Sequence, residues 1–385
     1  MAQGKDLSVV LNAIRATASS AYQSAVPMAT ADNISDVGAA VLAAPTAIRN
    51  EFMTNLYNKI GLTLIDSPVV ENRFSFLKKG TLDYGQTIED IYVGLASAEP
   101  YVTGMKEGDE FPDPFSIRKL PHYSAFYSTI LSRQYQVTRH LTDLRKAFHT
   151  GGGVEQFIAG MMNALVSAEN YDDMRATIGL MARQIEAAQT AENFKGNVHL
   201  ISDFNALYPD ETVTAETAFT NMKFIKYFAN QLKKYSKRMQ HLRSDLNIAG
   251  VPQTLPQSQQ RIMMLEDVTV DFETELLAFA YHADRFILDG VDGIDTWYSI
   301  GADHSSTPVV DPESIEVKTT FTTKEGGSTQ CVAVLYDTDM IKIYNKERVA
   351  SDQANAKGNY WNMFMSLEDI YACSPYKNFV CFMLD

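Results

Sequence analysis

Apolar side chains recur at helical spacing over Leu7–Ala21, where Val10, Leu11 and Ile14 share one side. They do so again over Asn50–Ile60, through Phe52, Leu56 and Ile60. Between these stretches, Ala25–Pro45 carries mostly small residues. It has too few large side chains for a core of its own, and an arm lying on something else is expected. From residue 61 to 137 the pattern becomes strand-like: Leu62–Ile65, Phe74–Leu77, Thr87–Val93 and Ser124–Val137. Glu99–Asp113 interrupts the last two runs with Gly, Pro and acids, among them Glu107, Asp109 and Glu110. A long β-hairpin with an acidic tip follows. It has no local apolar partner, and a lone hairpin is marginal in water, so it should pack on another molecule.

Three glycines, Gly151–Gly153, then open the longest periodic stretch. Val154, Phe157, Ile158, Met161, Leu165, Tyr171, Met174, Ile178, Met181 and Ile185 keep the 3.6-residue rhythm. A helix over Val154–Ala188 would be about 50 Å long at 1.5 Å per residue, enough to serve as a spine. Residues 192–217 read as loop. Ala218–Arg243 reads as a second helix with Met222, Ile225, Ala229, Leu232, Met239 and Leu242 inward. Pro252–Gln260 reads as a linker, followed by strand-like runs at Ile262–Val270, Ala333–Tyr336, Met340–Tyr344 and Phe379–Leu384. The Ser/Thr/Gly/Pro-rich stretch Ser305–Gly327 looks like an inserted loop or β-flap. No internal repeat of fixed period is present.

The 385 residues are 45% hydrophobic and 21% charged, which excludes a disordered or collagen-like chain. The formal charge of −14 argues against general nucleic-acid wrapping. One segment reverses the sign. Thr217–Ser244 holds Lys223, Lys226, Lys233, Lys234, Lys237, Arg238 and Arg243 and no acid; +7 here against −14 overall leaves −21 for the rest. If the apolar stripe faces inward, Lys226, Lys233 and Lys237 turn outward together. Acids of a neighbouring subunit, an acidic scaffold or DNA would each suit them, and the neighbouring subunit is the nearest supply.

Catalytic patterns are absent: no phosphate loop GxxxxGK[ST], HExxH, GxSxG or GxGxxG after a strand. The seven histidines are scattered, with no pair at i, i+4. Asp289, Asp292 and Asp295 could hold Ca²⁺. Their spacing misses the EF-hand pattern, though, and Asp-Gly is ordinary turn chemistry. A hinge and cap account for Gly151–Gly153 more simply than an anion site does. Cys331, Cys373 and Cys381 form no CxxC pair, and two lie in apolar runs, so buried reduced thiols are expected. No signal-peptide pattern opens the chain, and the apolar run Val37–Ile48 is too short to span a bilayer. A soluble intracellular product is expected.

Several stretches resemble the major capsid protein of phi29-like podophages. Val26-Pro27-Met28-Ala29-Thr30-Ala31 followed by Val37-Gly38 is one, and Ile60-Gly61-Leu62 fits the next element. The most specific block is Lys78-Lys79-Gly80 with Gly85, Thr87, Ile88, Glu89, Ile91 and Tyr92. Asn359-Tyr360-Trp361-Asn362 is similar to a further signature. The similarity is scattered from residue 8 to 385. It implies an α+β, HK97-like phage capsid fold. The expected parts are an N-terminal arm (1–60), an E-loop β-hairpin (61–137), a peripheral domain with the spine helix (138–200), an axial domain (201–345, with the flap at 305–327) and a return to the peripheral domain (346–385).

The implied function is that of a major head protein, forming pentamers and hexamers of an icosahedral or prolate shell around double-stranded DNA. The implied partners are itself, a scaffolding protein, a portal and the packaged DNA, with no cofactor, no metal, no membrane and no catalysis. The implied location is the virion, assembled in the host cytoplasm. A net negative lining would let the genome slide. Intersubunit contacts are expected from Lys78, Lys79, Glu107, Asp109, Glu110, Lys226, Lys233 and Lys237. Lys78, Lys79 and Lys106 occupy hairpin positions where some shells of this fold form covalent cross-links. Nothing in the sequence marks a buried acid beside them, so no cross-link is expected. The phi29-like relatives carry an extra C-terminal immunoglobulin-like domain, which is expected to be missing here because Asp385 follows directly on the last strand. An encapsulin-like nanocompartment shell and an α/β enzyme with a dispersed site are the alternatives.

Overall fold

The computed structural model describes residues 7–30, 33–63, 70–82, 88–98, 115, 117–127, 130–140, 142–143, 153–270, 290–300, 309–310 and 315–385. Four helices come first: α1 (Leu7–Thr17), α2 (Ser20–Ala25), α3 (Ile34–Ala43) and α4 (Thr46–Thr63). Ser19 caps α2 by accepting from the Tyr22 amide. The Ala25–Pro45 segment is more structured than its small residues suggested. Val26, Ala29, Val37 and Val41 are buried with Leu11, Ile14, Tyr22 and Phe52. Asn12 clamps Ala29 by donating to its carbonyl and accepting from its amide, each at 2.8 Å. This layer covers Leu165, Val166, Trp361, Met363, Met365 and Leu367, so the arm lies on its own chain.

Leu62 and Thr63 end α4 rather than start a strand, and Phe74–Leu77 holds a 3₁₀ turn with Phe74 and Leu77 fully buried. The strands β1 (Lys78–Thr81), β2 (Ile88–Val93), β3 (His122–Tyr127) and β4 (Ile130–His140) follow. The run read as Ser124–Val137 is therefore two strands with different partners. Among the described residues β2 pairs only with β3, as a ribbon of Ile88–Val93 and His122–Tyr127, whereas β4 enters a larger sheet.

The spine helix α5 spans Gly153–Thr190, 38 residues, or about 57 Å. From Ala176 to Ala182 it is buried on every side. The stretch expected as loop forms β5 (Asn197–His199) and α6 (Leu200–Leu207). The basic helix α7 (Met222–Met239) is opened by Asn221, whose side chain accepts from the amides of Lys223 and Phe224. β6 (Gln260–Leu265) is shorter than Ile262–Val270 implied, because residues 266–270 turn helical.

Then come β7 (Val291–Ile294), β8 (Trp297–Ile300), β9 (Val309–Val310), β10 (Ile315–Lys318), β11 (Phe321–Thr322), β12 (Ser328–Asp337), β13 (Ile341–Asn355), β14 (Tyr360–Cys373) and β15 (Phe379–Leu384). Within 305–327, β10 pairs with β8 and β11 with β12, so this part of the flap is tied to the body. Gly179 lets β8 approach the spine, since a Cβ there would meet Ile300 Cγ1 at 2.5 Å.

Two main sheets result. One has the order β1-β13-β14-β4-β9; the other runs β5-β15-β12-β6-β7, with β11 on β12. The last strand does not return to the first sheet. β15 inserts between β5 and β12, with all six residues buried. A strand apolar on both faces needs both faces covered. The second sheet provides that cover: Phe382 of β15 meets the rings of Phe228 and Tyr235 from α7. On the β13–β14–β4 sheet one face takes the N-terminal helices. The other carries polar pairs, Thr138–Asn362 at 2.7 Å and Gln134–Ser366 at 3.0 Å.

Where spine and sheet meet, charges are buried. Arg133 on β4 reaches Asp173 on the spine at 2.6 Å and also pairs with Asp369 on β14. Lys78 of β1 sits between Asp173 and Glu169, Arg348 of β13 meets Glu169, and Tyr371 donates to Asp173 at 2.8 Å. Three cations thus face three carboxylates. Burial pushes the Asp369 carboxyl up to about 6, against the pull of Arg133 and with the push of Asp173. Asp173 is also penalised by burial, yet Arg133 and Lys78 together hold it below its usual range.

These two carboxylates act oppositely with pH. What Asp369 contributes to stability is full below about pH 4 and is lost as pH rises through 6; what Asp173 contributes is present above about pH 4 and fades in acid. Asp369→Asn is neutral throughout and removes the first dependence. Stabilities from urea unfolding between pH 4.5 and 7 should show the variant gaining on the parent as pH rises, by ~2 kcal/mol. Parallel curves would contradict the buried, proton-binding role of Asp369.

Candidate assembly interface

The ribbon's register sorts its side chains. Ile88, Asp90, Tyr92, Tyr123, Ala125 and Tyr127 share one face, and Glu89, Ile91, Val93, His122, Ser124 and Phe126 share the other. The first face docks on the body. Tyr92 packs with Val251 and Tyr376, and its hydroxyl donates to the Pro252 carbonyl at 2.8 Å. Asp90 accepts from Tyr127 at 3.2 Å and from Ser374. Burial pushes the Tyr127 phenol up, so it stays a donor.

The second face has no apolar cover from the chain's own described residues: Ile91 is 53%, Val93 54% and Phe126 67% exposed. Leu95, Phe115, Ile117 and Leu120, at the roots of the hairpin tip, are exposed as well. A run of large apolar groups facing water on a two-stranded ribbon marks a contact surface. The alternation Ile-Glu-Asp-Ile-Tyr-Val was visible in sequence. Which phase faced outward depended on Tyr92 finding Tyr376, nearly three hundred residues away, and that was not visible.

The other expected contact residues separate. Lys78 belongs to the buried charge cluster, inside its own subunit. The expectation that no buried acid stands beside it is corrected by Glu169 and Asp173. Lys79 pairs with Asp339 at 3.2 Å. Glu107, Asp109, Glu110 and Lys106 lie outside the described residues.

On α7, Phe224, Ile225, Phe228, Ala229, Leu232 and Met239 face the core, while Leu242 lies beyond the helix and is exposed. Lys233 and Lys237 are exposed and Lys226 is half-buried. The seven positives are not all uncompensated. Lys223 reaches Glu211 at 3.0 Å and sits over the Tyr208 ring, and Arg243 pairs with Asp245.

Asp292 is held by Arg261 at 2.6 Å and accepts from the Tyr336 hydroxyl, and Asp289 lies outside the described residues. Among the described residues no three acids, histidines or cysteines gather as a metal site. Burial pushes the Cys373 thiol up to about 12 and raises Cys381 as well, which leaves both poor nucleophiles. Among the described residues no helix is long and apolar enough to cross a membrane.

Comparison with known proteins identifies the family. The family model for Phi29-like phage major capsid protein matches residues 11–383. The chain belongs to that family. It is 25% identical over 379 residues to the major capsid protein of Bacillus phage B103, covering 97% of this chain and 72% of that protein. It is 26% identical over 324 residues to that of Streptococcus phage Cp-1, covering 80% and 81%. The fold is shared with a chain in the capsid structure of Staphylococcus phage Andhra (TM-score 0.57, 13% identity, 84% of this chain and 86% of that one). A chain from native bacteriophage P68 is also similar (TM-score 0.52, 13% identity, 83% and 87%). The phage major capsid protein is thus α+β and HK97-like, and neither the nanocompartment nor the enzyme alternative finds support.

In this capsid protein, replacing both Ile91 and Phe126 by Ser should leave the isolated subunit's melting free energy within ~0.5 kcal/mol of the parent. Each buried apolar group is worth ~1.5–3 kcal/mol in a contact, so sedimentation should show assembly needing at least about tenfold more protein. Unchanged assembly, or an unfolded monomer, would remove this face from the interface.

Proposed function

We propose that this chain forms the pentamers and hexamers of an icosahedral or prolate head around double-stranded DNA, with a scaffolding protein and a portal as partners. Assembly takes place in the host cytoplasm, and the chain does no chemistry. The observation that carries this is the ribbon's outer face, a row of Ile91, Val93 and Phe126 with no apolar partner among the described residues. The ribbon acts as the E-loop and lies over the next subunit. The spine helix with the β13–β14–β4 sheet acts as the peripheral domain. The β15–β12–β6 sheet with α6 and α7 acts as the axial one, and Lys233 and Lys237 on α7 offer charge to an acidic neighbour. Lys78 takes no part in cross-linking, because it is held inside its own subunit between Glu169 and Asp173.

Co-expression with a scaffolding protein should give closed shells in negative stain, and virions should carry the DNA inside them. Denaturing gels of mature particles should show one band near 42.9 kDa. A ladder would contradict the absence of cross-links, and the absence of shells would contradict the reading itself.

A further inference from the structure

Around α7 the charge along the chain changes sign once. From Gly196 to Met222 there are four acids, Asp203, Asp210, Glu211 and Glu216, and no Lys or Arg. From Lys223 to Ser244 there are seven cations and no acid. The fold keeps the two groups apart. α6 lies beside the first half of α7, where Phe204 meets the rings of Phe224 and Tyr227 at 5.3 and 5.5 Å. Glu211 reaches Lys223 at 3.0 Å. Burial pushes the Tyr227 phenol up, and the nearby Asp203 carboxylate adds to the push. Lys233, Lys234 and Lys237 stand on the second half of α7, ten to fourteen residues beyond Lys223, or about 15–21 Å along the axis.

Both groups face water. Asp203, Asp210, Glu211 and Glu216 are exposed, and so are Lys233, Lys234 and Lys237. Local effects do not account for the cations. The helix dipole favours positive charge in the last turn, which covers Lys237 and Arg238 but not Lys233 and Lys234. Lys233 repels Lys237, and Lys234 repels Arg238, each pair four residues apart on one face. Glu211, held at Lys223, is too far away to answer them, since salt screens exposed charges beyond about 8–10 Å. Each group also carries an exposed leucine. Leu207, between Asp203 and Asp210, is 58% exposed, and Leu242, just past the end of α7, is 54% exposed. An apolar centre with a charged rim is the make-up of a protein contact. Here its two halves sit at opposite ends of one helix, with opposite signs.

We infer that the acidic patch around α6 on one copy receives the lysine end of α7 from a second copy, with Leu242 packing against Leu207. The contact is head-to-tail, so each copy uses both ends, and such a contact closes into a ring when its rotation divides a full turn. A second copy is favoured because one contact satisfies both patches. DNA would be drawn to the lysines but repelled by acids only about 20 Å along the same helix. An acidic scaffold would leave Asp203, Leu207 and Asp210 uncovered. This rests on the shell reading above, and the test separates the two.

Three variants carry the test. One reverses the lysine end (Lys233→Glu, Lys234→Glu, Lys237→Glu), one reverses the acids (Asp203→Lys, Asp210→Lys, Glu216→Lys), and one carries all six changes. All six positions are exposed, so urea midpoints of the isolated subunits should stay near the parent's. Each single-patch variant should need at least about tenfold more protein to assemble with scaffold, measured by sedimentation, because like charges then face each other. The loss should shrink at ~1 M salt, and the combined variant should recover the parent's requirement. In parent shells mixed from ¹⁴N- and ¹⁵N-labelled subunits, a water-soluble carbodiimide should join Lys233, Lys234 or Lys237 of one copy to Asp203, Asp210 or Glu216 of another. The carboxylate becomes an O-acylisourea, the amine attacks its carbonyl carbon, the urea leaves, and an amide remains. Normal assembly of either single-patch variant, or no recovery in the combined one, would overturn the inference. So would cross-links formed only within one copy or only to the scaffold, or normal shells of the lysine variant that fail to hold DNA. Should a variant's subunit unfold, the isotope-mixed cross-links of the parent decide alone. Failure of the parent to form shells would instead sink the reading on which the inference rests.

Discussion

Everything in this subunit hangs from one guanidinium that cannot reach water. Arg133 leaves β4 toward the spine helix and is met by Asp173 and Asp369, on two other elements. A lone buried charge would cost several kcal/mol, so the three elements are obliged to keep one mutual register. Lys78 and Arg348 balance the remaining negative charge, which draws β1 and β13 into the same constraint. A spine of apolar contacts alone could slide by a turn; a spine pinned by matched charges cannot do so cheaply. The arrangement contributes specificity of alignment more than net stability.

Much of the fold was legible because its elements obey local rules. The spine, the N-terminal helices and the ribbon follow from periodicity and from the Gly/Pro break between strands. Failures came where partners decide. Phe74–Leu77 has strand composition, but its two buried side chains point into a 3₁₀ turn fixed by neighbours. Phe379–Leu384 reads as a strand from its composition, but nothing local says that it inserts between β5 and β12. The charge cluster was invisible, since Lys78, Arg133, Asp173, Arg348 and Asp369 are scattered through the whole sequence. The hydrophobic outer face of the ribbon was half visible: the alternation could be read, but not its phase. The Tyr360-Trp361 signature was recognised as similar to a family motif, while the turn before it, with Asn359 at φ 52°, was not.

Shell building suits a chain of this kind. The candidate surfaces are modest one by one: a ribbon face of three or four apolar groups and the lysines along α7. Exposed ion pairs add only ~0.2–1 kcal/mol each. Repetition in a closed lattice turns such contacts into a stable object while leaving any one of them reversible, which allows errors to be corrected during growth.

The two apolar cores share the spine helix and the strands β4 and β14. One gathers around the second sheet and the C-terminal half of the spine; the other lies under the N-terminal helices, against Leu165, Val166 and the inner face of β14. Because α1 to α4 cover only the smaller core, those helices can open as their own cooperative unit without opening the larger core. Amide protons in α1 to α4 would then exchange with solvent on a faster clock than those of β12 and β15. The helical cover of the smaller core can thus rearrange while the larger core keeps its shape.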